Sequence, residues 1–218
     1  MDEKTLRFEQ EMEHLNKADE NIKKLFLQLA NRDFDYTFLF GAGIARRSCA
    51  LTAGFKSMIK DKNSVCALAL VRMQLDNSLR LYAGFFSKDR NKFSQDVLKG
   101  IQINKMRADD NQKMSDNYLA KRVSEINPWV INVYRTTSGY VHFSETHIKG
   151  AFKRKDGNIF EMIIGPNDND RDPNDFLESL QCFTHITMMI EVQLQDWFGL
   201  LNHDDFSCQA SSQPKNRP

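Results

Sequence analysis

Apolar side chains recur every three or four residues along most of the chain, a period that predicts helices rather than strands. Between residues 5 and 30, Leu15, Ile22, Leu25, Phe26 and Leu29 stand among many charges, the spacing of an amphipathic surface helix. A break at 31–36 follows. Residues 44–60 then repeat the pattern with Leu51, Phe55, Met58 and Ile59 beside Arg46, Arg47 and Lys56. The polar run Asp61-Lys62-Asn63-Ser64 interrupts it and offers an N-cap to the next element. That element, residues 65–86, is apolar almost all round through VCALALV, so it belongs at the centre of a bundle and is expected to be the most buried helix.

Further along, shorter helices are predicted over 93–100 and over 116–126 with Ser115 as cap, and the polar stretch 104–114 reads as a loop. Asn127-Pro128 looks like an N-cap with proline in the first turn, starting a helix that runs to 142 or 143. Residues 147–153 and 158–164 flank Lys155-Asp156-Gly157, and Asp-Gly between extended runs signals a hairpin. Pro173, with Asp172 as cap, opens a last long helix through 198. The expected architecture is therefore mainly α: a helical bundle with one small β-hairpin at about 147–164, forming a single domain over 1–206. The apolar-poor tail 207–218 is expected to be disordered.

Composition narrows the classes. With 41% hydrophobic residues and 16 Phe, 218 residues suffice for one sizeable core. Thirty basic and twenty-nine acidic side chains leave a formal charge of +1, so any binding to nucleic acid must come from a local patch. Cys49, Cys66, Cys182 and Cys208 contain no CxxC pair and fit neither a disulfide framework nor a structural zinc site, which points to a reducing cytoplasm. The charged beginning has no signal-peptide pattern. The most apolar late segment, 186–201, is interrupted by Glu191, Gln193, Gln195 and Asp196, so no membrane span is expected.

Candidate chemistry concentrates on the helix that begins after Asn127. Val130, Val133, Tyr134, Thr137 and Val141 form a core-facing stripe, and Ile131, Arg135, Ser138 and His142 form a second, mostly polar one. Arg135 and His142 lie two turns apart on one face with Ser138 between them. A guanidinium and an imidazole facing one cleft suit phosphodiester chemistry, in which Arg binds phosphate and His moves protons. The bland reading has Ser138 bonding the His142 ring in a structural role. On the core helix, Arg72, Asp76 and Arg80 recur every four residues and are read as a structural ion network, with phosphate binding as the alternative.

Other motifs are read as structural. His142, Glu145 and His147 match no familiar zinc or iron spacing, so no metal is expected. Gly41-Ala42-Gly43 lacks a preceding strand and a following GK[ST], so it is read as a turn leading into a helix, and no cofactor is expected. Lys153-Arg154-Lys155 is a solvated hairpin tip or a small nucleic-acid contact. Trp129 and Trp197 are read as core anchors, and Met188 and Met189 as packing residues.

The segment Arg135-TTSGYV-His142 resembles the arginine, six-residue gap and histidine near a helix end in HEPN-superfamily ribonucleases and toxins, small all-α proteins of bacterial defence and toxin-antitoxin systems. The wider pattern ARRSCALTAGF, ALVRMQLDNSLRLYAG and YRTTSGYVHFSETHI is similar to a group of uncharacterised bacterial helical proteins. The first resemblance implies a metal-independent endoribonuclease or defence effector. In it Arg135 and His142 are catalytic, and Ser138, Tyr140, Ser144 and His147 support them. It also implies RNA as substrate, a homodimer that completes the cleft, and an antitoxin or other defence-system partner. The rival class is a non-catalytic helical interaction protein.

Overall fold

A computed structural model describes residues 3–29, 33–155, 159–166, 168–169 and 171–200. Those residues form a mainly-α bundle of eight helices: α1 Glu3–Gln28, α2 Tyr36–Lys60, α3 Ser64–Phe85, α4 Arg90–Leu98, α5 Asp116–Ser124, α6 Trp129–Val141, α7 Glu145–Gly150 and α8 Pro173–Trp197. Strands β1 (Phe152–Arg154) and β2 (Phe160–Met162) pair antiparallel, with Phe152 opposite Met162 and Arg154 opposite Phe160. The Asp156-Gly157 turn, the side chains of Lys153 and Arg154, and the tail 207–218 lie outside the described residues. No helix among the described residues is long and apolar enough to cross a membrane.

The central position belongs to α3, which packs against α2, α8, α6 and α5. Ala67, Val71, Leu75, Leu79, Leu81 and Ala83 on it are fully buried, as its nearly unbroken apolar sequence requires. Across the bundle Phe55 of α2 and Phe183 of α8 stack with ring centroids 4.0 Å apart. Each fully buried side chain of this size contributes roughly 1.5–3 kcal/mol. Caps fix where the helices start. Asp35, Asn63, Asp89, Ser115 and Asp172 each accept a backbone N–H from the first turn of α2, α3, α4, α5 and α8 respectively.

Several elements depart from the sequence reading. α2 begins at Tyr36, so Gly41-Ala42-Gly43 lies inside a helix and is no turn. The reason is packing: a Cβ on Gly41 would stand 2.6 Å from the Phe198 ring and 3.0 Å from Trp197, so glycine lets α8's end close onto α2. α4 starts three residues earlier than the 93–100 reading because Asp89 caps it. Asn127 does not cap α6; its amide donates instead to the Tyr82 hydroxyl at 3.3 Å, and Pro128 takes the cap position without a side-chain bond.

The segment 147–153, read as a strand, is mostly the short helix α7. Ser144 caps it in a box in which the His147 ring stands where Glu or Gln is usual. Val141, assigned to the core-facing stripe, is 46% exposed: it is the last residue of α6 and lines an open cleft rather than the core. Met188 is also exposed, whereas Met189 packs against the core. Trp197 is buried, with its indole N–H donating to the Thr37 carbonyl at 2.9 Å, and Trp129 packs half-buried against the core.

Candidate functional site

α6 ends at an elbow that sets the site. Gly139 sits where a Cβ would lie 3.0 Å from the Ser144 hydroxyl and 3.1 Å from that of Thr146, so its bare backbone lets α7 fold back against α6. The Ser144 hydroxyl donates to the Gly139 carbonyl at 2.9 Å, tying the elbow together. His142 occupies the C-cap of α6 in extended conformation, and its exposed ring lines a cleft of about 350 Å³. The same cleft is lined by Ser138, Tyr134 and Val141 of α6, Arg72, Met73 and Asp76 of α3, Arg47 of α2 and Asp116 of α5.

The wall opposite α6 is charged. Arg80 donates to Asp116 at 2.5 Å and pairs with Asp76 at 2.8 Å. Arg47 reaches the other oxygen of Asp76 at 3.4 Å and the side-chain Oδ1 of Asn77 at 3.4 Å. Arg72 meets the far oxygen of Asp116 only at 3.8 Å, and its guanidinium lies 4.5 Å from the centre of the Tyr134 ring. Asp76 therefore pairs with Arg80 and Arg47, and Arg72 belongs to Asp116. Three guanidinium groups against two carboxylates leave one positive charge at the cleft.

The six candidate residues from α6 and α7 are not gathered in one place. Ser138 and His142 share the cleft with Arg72 and Asp76. Arg135 is exposed, lies outside that lining, and makes no hydrogen bond or ion pair among the described residues. Tyr140 and His147 line a separate groove of about 190 Å³ with Ser64, Asp168 and Arg171. Ser144 is committed to capping α7. The His147 Nδ1 accepts the Ser144 N–H at 3.3 Å, and the ring stacks on Phe143, so His147 anchors the elbow. The Ser138 hydroxyl donates to the Tyr134 carbonyl rather than to the His142 ring.

Sequence reasoning passes over four members of the cleft. Arg47 reads as one of several basic residues beside the α2 stripe, Asp116 as the first residue of a helix, Tyr134 as a core residue and Met73 as one more apolar position of α3. The one signal is the adjacent pair Arg46-Arg47, since neighbours about 100° apart on a helix face different directions, and Arg47 is the less exposed of the two.

Thiol chemistry has little support elsewhere. Cys182 lines a groove between α3, α6 and α8, yet burial pushes its thiol up to about 12, which leaves little thiolate near neutrality. Among the described residues no group of three or more His, Cys, Asp or Glu side chains is arranged to hold a metal ion. No family model, curated protein or solved structure matches this chain.

Proposed function

We propose that the protein is a HEPN-like, metal-independent endoribonuclease acting as a homodimeric defence or toxin effector. The observation that supports it is the exposed His142 ring at the mouth of a cleft lined by arginines. In this reading His142 takes the proton of a ribose 2′-hydroxyl as that oxygen attacks the adjacent phosphorus. The bond to the 5′-oxygen breaks, leaving a cyclic phosphate, and the 5′-oxygen departs with a proton from water. Arg135, free of intramolecular partners among the described residues, offsets charge on the phosphate across the interface with a second copy.

The test is direct. Purified protein should cleave RNA in the presence of chelator. His142→Ala should lose at least about 100-fold in rate while its circular-dichroism spectrum stays unchanged. A folded wild-type protein that leaves every RNA intact would overturn the proposal.

One observation favours the rival, a non-catalytic interaction protein. Phe152, Phe160 and Met162 share one face of the hairpin and are 49%, 63% and 63% exposed. An exposed apolar sheet face of this kind marks a protein contact. In that reading Phe160→Ser abolishes assembly, which size-exclusion chromatography would detect, and no RNA is cleaved.

A further inference from the structure

The charged wall of the His142 cleft separates its arginines into two kinds. Arg80 holds both carboxylates at close range, 2.8 Å to Asp76 and 2.5 Å to Asp116, and it does not line the cleft. Arg72 and Arg47 do line it, and both are loosely held. Arg72 is only 9% exposed, yet among the described residues its guanidinium makes no hydrogen bond. Its contacts are the 3.8 Å approach to Asp116 and the face of Tyr134. A guanidinium carries five N–H donors, and none of the Arg72 nitrogens is among the sealed, unpartnered atoms of the described residues, so these donors face the open cleft and can be reached from it. Arg47 has one guanidinium nitrogen shared between two acceptors at 3.4 Å each, the long limit of a hydrogen bond.

We infer that Arg72 and Arg47 form an anion site in this cleft that takes a phosphate of a single-stranded RNA backbone, an inference resting on the proposal that RNA is the substrate. Arg80 holds the two carboxylates at closer range than Arg47 or Arg72 does, so they draw only weakly on the donors of the cleft arginines. The Arg72 guanidinium carbon lies 4.5 Å from the centre of the Tyr134 ring, and the planar fork of an arginine suits bidentate contact with two phosphate oxygens. The uncompensated charge of the group has the sign the ligand requires. Arg72 is an anion-binding residue here, distinct from the proton-transferring His142.

A 2′-O-methyl oligoribonucleotide, which lacks the attacking hydroxyl, separates binding from cleavage. Fluorescence anisotropy should show it bound by the wild type. Arg72→Met should weaken binding on the order of 10- to 100-fold, as expected for loss of hydrogen bonds to a charged group. Arg72→Lys should recover only part of the affinity, and His142→Ala should bind almost as well as the wild type. In parallel, inorganic phosphate titrated into ¹⁵N-labelled wild-type protein should move the Arg72 Nε–H resonance.

Folded Arg72→Met and Arg47→Met variants that both bind like the wild type would overturn the site. If Arg72→Met fails to fold, the phosphate titration decides on the wild type alone, and an unmoved Arg72 resonance overturns it. Arg72-dependent binding without cleavage by any preparation leaves the anion site standing and removes the ribonuclease. Cleavage with no dependence on Arg72 does the reverse.

Discussion

Helix α3 shows two kinds of polar face, and the difference separates structural polarity from polarity left for a ligand. Toward α2 and α8, Gln74 donates to Ser48 at 2.7 Å and to Thr187 at 3.0 Å, and Ser78 donates to Gln193 at 2.9 Å. Asn77 donates to the Ile44 carbonyl at 3.0 Å. All these side chains are at most 5% exposed and uncharged, and the unpartnered Gln74 Oε1 is sealed from solvent. Toward α5 and α6 the same helix presents Arg72 and Asp76 to an open cleft, where Arg80 holds Asp76 at 2.8 Å but the charged contacts of the cleft-lining Arg72 and Arg47 are longer and incomplete. Neutral, short bonds pin the register of three helices. Loose charged ones leave donors for a partner that arrives from solvent.

The largest expected effect tests the buried side of that comparison. Gln74→Ala removes two hydrogen bonds and opens a cavity, and should cost about 3 kcal/mol in chemical denaturation. Oligonucleotide affinity of the folded fraction should stay unchanged. A matching loss of affinity would mean the two faces are one coupled unit.

A smaller effect is expected on the cleft side, where solvent softens charge interactions. Arg80→Met should cost about 2 kcal/mol by leaving Asp76 and Asp116 without their close partner. It should also weaken anion binding, although Arg80 does not line the cleft, because the freed carboxylates then draw on Arg47 and Arg72. Calorimetry and anisotropy on the same preparation read both. Stability lost with binding intact would show that the carboxylates do not compete with the ligand.

Much of this molecule is legible in its sequence because periodicity and caps are local signals. Ser115, Asn63 and Asp172 mark helix starts that the structure keeps, and VCALALV places α3 at the centre. The failures are tertiary. Whether Gly41 begins a turn or sits within a helix depends on Phe198, which lies far along the chain. The spacing of Arg135 and His142 puts both on one helical face, but α6 ends at Val141, so His142 turns into the cleft and Arg135 stays outside it. Nor does the interval of four among Arg72, Asp76 and Arg80 reveal Arg47 and Asp116, since those partners come from other helices.

The smallest predicted effect extends the comparison to a charged group with partial burial and a single neutral partner. Glu191 on α8 is half-buried against α1 and accepts the Asn21 amide at 2.9 Å. Burial raises its carboxyl above the ordinary 4.5, while the Asn21 bond and nearby Lys17 oppose the rise. The folded chain therefore holds this proton to higher pH than the unfolded chain does. Its contribution falls as pH rises through the window between the ordinary value and the raised one, and stays lower above it. Glutamine cannot ionise and keeps an oxygen for Asn21. Glu191→Gln should thus stabilise the protein near neutrality by about 0.5 kcal/mol or less after screening by solvent. The gain should vanish below the carboxylate range. Urea melts at two pH values check the sign, and a variant less stable near neutrality would mean that Glu191 is held as an anion by its surroundings.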